Sequence, residues 1–269
     1  GTVMASFSVV SNIASANAQA NLSTNNIGLQ RTLNRLSSGY RINYSGDDAA
    51  GLAVANGYRA DQAVLNQGIR NANDGLSTLQ IMDGALNNIS MLLDRLATLA
   101  SQSASAGFTG NRTTVNNEAK SILDEIDREA GVAGMTSIGN FSVFVSAGSG
   151  ATVGGTVGAA NATGLAVDAI DLTTNTAAAS AVATISSAVQ TLGTVQGAVG
   201  ALQNRLQYAI ALGQSQVVNT KAAESRIRDA NIAEESANMT RYSILNQSGI
   251  ASLAQANQQA SSVLALLRG

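Results

Sequence analysis

The sequence predicts a mainly α-helical protein, in which long antiparallel helices pack as a coiled coil or bundle and a small β-hairpin interrupts the middle of the chain. Three observations support this fold class. The 269 residues include no proline, the residue that most strongly ends or kinks a helix. Only 3% of the residues are aromatic, so the apolar stripes consist of small and aliphatic side chains and favour narrow packing. Apolar residues also recur at helical intervals along most of the chain.

Residues 1–44 are predicted to form an N-terminal helix followed by a linker. From Val9 to Leu36 the apolar positions keep a helical or heptad interval, with a loose middle expected around residues 23–26. A lone amphipathic helix gains little stability in water, so this stripe needs a partner. The natural partners are the other end of the chain and other copies of it.

Residues 45–130 are predicted to hold two more helices. The first begins near Ala49 and is capped by Ser45 or Asp47, because a side-chain oxygen there satisfies free N–H groups and a carboxylate complements the positive helix end. Asp47 and Asp48 form a poor metal site or catalytic pair, because no further acidic residue completes a metal-binding loop. The next helix, at about residues 113–130, is expected to carry an ion pair between Asp124 and Arg128.

In residues 131–176 the composition shifts to Gly, Ser, Thr and Ala. The segment FSVFVS, residues 141–146, alternates like a strand, and ATVGGTV, residues 151–157, is its expected partner in a hairpin. A disordered loop is the alternative. Helical periodicity returns in residues 177–229, and residues 230–269 form a C-terminal amphipathic helix.

Composition excludes several classes of function. The absence of Cys and His removes thiolate chemistry, His-based triads and the usual zinc sites, so an enzyme is improbable and no cofactor is expected. A net charge of -2 with scattered basic residues does not favour nucleic-acid binding. No segment approaches the roughly 18 apolar residues of a membrane helix, so no membrane insertion is expected. The first basic residue is Arg31, which argues against a cleaved signal peptide.

Three segments closely resemble bacterial flagellin. They are LSSGYRINYSGDDAAGLAVANGYRAD, GIRNANDGLSTLQIMDGALNNIS and ESRIRDANIAEESANMTRYSILNQSGIASLAQANQQASSVLALLRG, in the family's order and at its two ends. The resemblance implies a structural subunit that polymerises into the flagellar filament, the helical propeller for swimming. It further implies export in unfolded form by the flagellar type III apparatus, without a cleaved signal.

The same resemblance assigns regions and residues. Residues 1–44 and 230–269 would pair in the inner tube of the filament, and residues 45–229 would form a rod domain that carries the hairpin. Arg41, Asn43, Asp47 and Asp48 would belong to the linker and the start of the rod, with the arginine expected to pair across subunits. The apolar residues expected at subunit contacts of the inner tube are Ile13, Leu22, Leu29, Leu36, Ile250, Leu253, Leu264 and Leu267.

Partners beyond the homopolymer also follow from the resemblance. They are other flagellins, the hook–filament junction and cap proteins, an export chaperone at the C-terminus, and an innate immune receptor. In the receptor-binding motif Gln-Arg-Val-Arg-Glu-Leu of the family, Arg95 and Leu99 are retained here, and Glu118 matches another contact position. The loss of the second Arg and of the Glu predicts weak recognition.

Two other protein classes remain as alternatives. A hook–filament junction protein shares the terminal helices, but the filament-type ending SLAQANQQASSVLALLRG argues against it. A non-flagellar coiled-coil adhesin would form a closed bundle of fixed size. Assembly into long filaments would separate the predicted function from both.

Overall fold

Helices make up most of the chain, as the sequence predicts. A computed structural model describes residues 11–268, so the part of the predicted first stripe around Val9 lies outside the described residues. Within the described range, a single antiparallel hairpin separates three helices from two more. The elements in chain order are α1 (Ile13–Ser38), α2 (Ala49–Ala104), α3 (Arg112–Val132), β1 (Gly139–Phe144), β2 (Thr152–Val157), α4 (Asn175–Arg228) and α5 (Ile232–Arg268).

Local sequence explains where α1 begins and ends. The Asn12 side chain accepts a hydrogen bond from the backbone N–H of Ser15 at 3.0 Å, as an N-cap residue does. Gly39 ends the helix with φ of 75°, a left-handed conformation that glycine adopts without strain. The helix runs without a break through residues 23–26, so the predicted loose middle is wrong. The hydroxyl of Thr24 donates to the carbonyl of Ala20 at 3.1 Å and thus follows the helix instead of interrupting it.

The described residues divide into two compact units, which we name the core unit (residues 60–220) and the terminal unit (residues 11–59 and 221–268). The core unit contains one continuous hydrophobic core, built from α2, α3, α4, the hairpin and the segment after it. Each fully buried Leu or Ile contributes about 1.5–3 kcal/mol through removal from water. Large side chains that are fully buried in the core unit include Leu79, Leu86, Ile89, Leu93, Leu96, Ile126, Met135, Leu172, Ile185 and Leu192.

The hairpin is held to α2 by a close backbone approach. β1 pairs with β2 in antiparallel register, and Val143 lies opposite Val153 with both side chains buried. At the tip, the N–H of Val145 donates to the carbonyl of Ala151 at 2.7 Å, which closes the loop formed by residues 146–150. A Cβ at Gly68 of α2 would overlap the carbonyl of Val145, so only glycine fits there. The alternative of a disordered loop is wrong.

The segment from 158 to 174 has an ordered path that the sequence did not suggest. Its backbone is tied to the helices through three side chains: Ala162 N–H donates to Asp127 at 2.7 Å, and Leu172 N–H donates to Asn116 at 3.0 Å. The hydroxyl of Ser103 donates to the Leu172 carbonyl at 2.6 Å. Leu165, Val167 and Leu172 of this segment are buried in the core.

The expected ion pair on α3 forms with different carboxylates. Arg128 contacts Glu125 at 2.5 Å and Glu129 at 3.3 Å, so the predicted partner Asp124 is wrong. Glu125 lies at the i,i+3 position, which is as close on a helix surface as i,i+4. The hydrogen bond from Arg128 lowers the pKa of the Glu125 carboxyl. Both groups are exposed to solvent, so the pair adds little to stability.

We expect Gly68→Ala to lower the free energy of unfolding by about 1–3 kcal/mol, because the added methyl group must push the hairpin away from α2. Gly84 in the same helix has open space around a built Cβ, so Gly84→Ala should raise stability by up to about 1 kcal/mol through helix propensity. Urea unfolding followed by circular dichroism measures both. Equal effects of the two variants would contradict the proposed close approach.

Candidate functional site: the linkers and the terminal helix pair

Two short connections meet in the terminal unit, one between α1 and α2 and the other between α4 and α5. The N–H of Ala230 donates to the carbonyl of Gly39 at 2.9 Å, and the N–H of Arg41 donates to the carbonyl of Arg228 at 2.6 Å. Tyr40 and Asp229 between them form an antiparallel bridge. We call this arrangement the linker ladder. It fixes the two connections to each other through backbone bonds, which do not depend on side-chain identity.

Arg41 links the end of one helix to the start of another. Its guanidinium donates to the carbonyl of Ile227 at 2.8 Å and lies 3.6 Å from the carboxylate of Asp48. The last carbonyls of a helix lack hydrogen-bond partners within the helix and carry partial negative charge. The Arg41 guanidinium, placed at the end of α4, supplies both a hydrogen-bond donor and a positive charge. Arg41, which the resemblance led us to expect in a pair across subunits, therefore has partners within its own chain.

The twin aspartates have separate roles at the start of α2. The carboxylate of Asp48 accepts from the N–H of Gly51 at 2.9 Å and caps the helix. Asp47 instead closes the preceding turn, because it accepts from the N–H groups of Asn43 at 3.1 Å and Tyr44 at 3.3 Å. The prediction that Ser45 or Asp47 is the cap is thus wrong, since the residue directly before Ala49 takes that place.

Small and apolar residues complete the packing around the linkers. A Cβ at Gly51 would lie 2.8 Å from the carboxyl carbon of Asp48 and 3.0 Å from Cδ1 of Ile42. Glycine at this position therefore leaves room for the capping carboxylate. Ile42 is completely buried, and the guanidinium of Arg228 lies 4.4 Å from the ring centroid of Tyr40, within the range of a cation–π contact. These contacts anchor the linkers from both sides.

The helices α1 and α5 pack side by side in opposite directions in the terminal unit. Near one end Arg35 contacts Glu235 at 3.2 Å, and near the other end the Asn12 side chain donates to the carbonyl of Ala256 at 2.9 Å. In between, the Asn246 side chain donates to that of Asn26 at 2.7 Å. We call this contact the terminal seam.

The terminal seam leaves its large apolar side chains half-buried or exposed among the described residues. Among the described side chains of α1 and α5, the buried ones are Thr32, Glu235 and Ala256, none of them a large aliphatic residue. Of the residues predicted at subunit contacts, Ile13 is 62% exposed, Ile250 60% and Leu264 46%. Leu22, Leu29, Leu36 and Leu253 are half-buried, and the side chain of Leu267 lies outside the described part of the structure.

Further exposed apolar residues in this helix pair were not singled out from the sequence. Some fall between the predicted stripe positions and others precede Ile250, the first predicted position of α5, so a single-stripe interpretation leaves them out. A second apolar face on the same helix would have been the signal. These residues are Ile27, Leu33, Ile232, Ile244, Leu245 and Leu266.

The residues implied in receptor contact occupy different environments in the core unit. The guanidinium of Arg95 donates twice to one carboxylate oxygen of Glu118, at 2.9 and 2.7 Å, and both side chains are about half exposed. Leu99 is only 2% exposed and packs in the hydrophobic core. Arg95 and Glu118 are thus the accessible members of the set.

Two kinds of arrangement were searched for among the described residues 11–268. Within that range, no group of three or more His, Cys, Asp or Glu side chains is placed to hold a metal ion. In the same part of the chain, no helix combines the length and the apolar character that a membrane span requires. The carboxylates of the linker are engaged in backbone capping, as described above.

Comparison with known proteins places this architecture in a family. Residues 9–144 match the bacterial flagellin N-terminal helical region, and residues 182–267 match the bacterial flagellin C-terminal helical region. A flagellin of Halalkalibacterium halodurans is 36% identical over 267 residues, covering 96% of this chain and 98% of that protein. A flagellar filament 33 kDa core protein of Treponema phagedenis is 34% identical over 281 residues, with the same coverage of 96% and 98%.

A solved structure is also similar to the chain. The crystal structure of Bacillus cereus flagellin shares 27% sequence identity, covers 58% of this chain and 94% of its own, and gives a TM-score of 0.47. The family assignment follows from the sequence matches alone, which extend over both terminal regions and nearly the whole length of the relatives. The chain belongs to the bacterial flagellin family.

Proposed function

We infer that the protein is a structural subunit of the bacterial flagellar filament, in which many copies assemble into an extracellular helical propeller. Family membership supports this function. The single observation that carries it in the structure is the terminal helix pair, on which several large aliphatic side chains remain exposed in one chain. A helix pair of this kind becomes stable when neighbouring chains cover those side chains.

We propose that the terminal helices line the core of the filament. Under this proposal residues 1–44 and 230–269 form the inner tube, residues 45–229 form the rod domain, and residues 131–176 hold its hairpin region. The two-sided distribution of polar and apolar residues on α1 and α5 supports contacts with more than one neighbour. The predicted inner-tube residues Ile13, Ile250 and Leu264 all belong to this exposed set.

Many weak contacts of one kind would drive assembly. Burial of one exposed Ile or Leu contributes about 1.5–3 kcal/mol, so a few of them per interface offset the entropy lost on association. When an interface joins two different faces of identical subunits, the assembly closes into a ring only if the rotations between successive subunits add up to a full turn. The result is an open helical array that elongates by addition at its end.

We further propose that the linker ladder acts as the joint of the subunit. Arg41, Asp48 and the backbone bonds between the two connections hold four helix ends together: the C-terminus of α1, the N-terminus of α2, the C-terminus of α4 and the N-terminus of α5. A load applied to one connection is therefore shared with the other. Asn43 and Asp47 keep the intervening turn closed.

Several partners remain proposals that rest on the family. They are other flagellins, hook–filament junction and cap proteins, and a chaperone that binds the C-terminal helix before export. Export of an unfolded chain without a cleaved signal belongs with them. No observation favours the junction protein as the function of this chain, and the structural role of the family supports a protein without enzymatic activity.

Ile13→Ser and Ile250→Ser should impair filament growth without unfolding the subunit. Both side chains are exposed in the single chain, so its free energy of unfolding should change by less than about 0.5 kcal/mol. Loss of one buried Ile per interface should raise the critical concentration for elongation about tenfold or more. Seeded elongation followed by light scattering and electron microscopy gives this value.

Two controls separate assembly from folding in that experiment. Ser252→Ala changes an exposed residue of the same helix and should leave elongation unchanged. Leu86→Ala, at a fully buried position, should lower subunit stability by about 2–5 kcal/mol. A chain that lacks residues 230–269 should give no filaments. If the intact chain forms only discrete particles of fixed size, the filament function is wrong and a junction protein or closed bundle replaces it.

Arg41→Ala should loosen the linkers. Loss of the hydrogen bond to Ile227 and of the contact with Asp48 is expected to cost about 0.5–1.5 kcal/mol, and Arg41→Lys should recover part of it because lysine keeps the charge but not the planar fork. Filaments of the Ala variant should bend more easily in electron micrographs, as measured by persistence length. Arg59→Ala, at an exposed position of the same unit, should match the unmodified chain in both measurements.

Receptor recognition should be weak and should depend on Arg95 and Glu118. Both are accessible and bonded to each other, whereas Leu99 is buried. In a reporter assay for the flagellin-sensing receptor we expect low activation, reduced further by Arg95→Ala. Strong activation by the unmodified chain would contradict this expectation.

A further inference from the structure

Among the described residues, the terminal seam departs from the usual distribution of residues in a helix pair, because its leucines are only half-buried. Paired helices normally place large apolar side chains in the contact and polar ones outside. Here the buried positions are Thr32, Glu235 and Ala256, and polar side chains meet across the contact. Large aliphatic residues such as Ile27 and Ile244 are more than half exposed on the same helices.

The polar contacts recur at a regular interval. On α5 the contacting residues Glu235, Asn246 and Asn257 are 11 residues apart, and on α1 Ser15 and Asn26 have the same separation. Eleven residues correspond to three helical turns of about 3.67 residues each, so these side chains lie on one line along each helix. Arg35 is nine residues after Asn26, about two and a half turns, so it lies on the other side of α1. We call the three contacts of Ser15 with Asn257, Asn26 with Asn246 and Arg35 with Glu235 the polar ladder.

Two members of the polar ladder have atoms that are buried without a partner. Within the described residues, one carboxylate oxygen of Glu235 and the side-chain oxygen of Asn246 accept no hydrogen bond. Such groups are unfavourable for stability, whereas a Leu pair at these positions would be favourable. Buried polar residues that lower stability in helix pairs often specify one register and one pairing.

Glycines reinforce the same alignment. A Cβ at Gly28 would lie 2.5 Å from Cε1 of Tyr242, and a Cβ at Gly249 would lie 3.0 Å from Cδ1 of Leu22. The two helices therefore approach closely only when each glycine faces its bulky partner. Rotation of either helix would bring a larger side chain into those places.

We propose that the polar ladder fixes the register and the rotation of α1 against α5, and thereby keeps exposed aliphatic side chains such as Ile27 and Ile244 facing outward for other copies of the chain. The use of the outward faces rests on the proposed filament function. The alignment within one chain does not depend on it. The linker ladder holds only one end of the pair, at Gly39 and Ala230, so contacts along the helices, the polar ladder among them, set the rotation over the remaining length.

Intrachain disulfide formation tests the alignment directly. The chain has no cysteine, so a Leu22→Cys/Gly249→Cys variant carries one possible pair. A Cβ at Gly249 would be 3.8 Å from the Cβ of Leu22, within the roughly 3.5–4.5 Å that disulfides need. This variant should cross-link readily under mild oxidation as the full-length, unpolymerised chain, which a shift on a non-reducing gel reports.

Removal of one contact of the polar ladder, between Asn26 and Asn246, should slow this cross-link. In the cysteine background, Asn26→Leu/Asn246→Leu is expected to reduce the rate about tenfold, because apolar seam residues permit rotated pairings. The matched control is Arg31→Leu/Glu234→Leu, which makes the same kind of change at exposed positions of the same helices. Equal rates in the ladder variant and the control would overturn the proposal.

A charge reversal gives a second test that does not depend on the folding of the leucine variant. Glu235→Arg alone places two arginines together and should reduce the cross-linking rate, and added Arg35→Glu should restore it. A failure of the double variant to restore the rate would overturn the proposal. Filament growth is measured separately, so its failure would contradict the proposed function and leave the cross-linking result intact.

Discussion

The structure of the terminal unit depends on the linker ladder. Two backbone hydrogen bonds, between Gly39 and Ala230 and between Arg41 and Arg228, bring together segments that are far apart in sequence. Arg41 then caps α4 through Ile227 and reaches Asp48, the cap of α2. Since these bonds satisfy helix-end groups that would otherwise be free, the same contacts that join the connections also stabilise the helices. Side-chain substitutions elsewhere in the terminal unit therefore act on helices whose ends this ladder already joins.

The two units differ in how far they bury their large apolar residues. In the core unit, leucines and isoleucines such as Leu86 and Ile126 are fully buried, so the unit has a complete core of its own. In the terminal unit, Ile13 and Ile250 are largely exposed, and the buried positions of the helix pair are small or polar. One chain thus combines a unit that folds through its own core with a unit whose apolar surface needs other molecules. This division suits a subunit that must remain separate until it meets a growing end.

Periodicity and composition predicted the helices and the hairpin well, because these depend on local sequence. The missing details depend on tertiary contacts. Asp48 and not Asp47 caps α2, a difference of one residue that only the start of the helix decides. The ordered path of residues 158–174 is fixed by Asn116 and Asp127 of α3, which are distant in sequence.

For the site, the sequence predicted a linker and subunit contacts through Ile13 and Ile250, which remain predictions, and it did not indicate the polar seam. Asn26 and Asn246 look like ordinary surface residues until the two helices are placed side by side.

The tip of the hairpin has a consequence for the evolution of length in this protein. Its loop, residues 146–150, is closed by the hydrogen bond between Val145 and Ala151, so the two ends of any inserted segment would already be held together. Each doubling of loop length costs only about 0.6 kcal/mol in closure entropy. A longer loop at this point is therefore compatible with the same buried core. The tip of the hairpin is therefore a position at which we expect the chain to tolerate added residues.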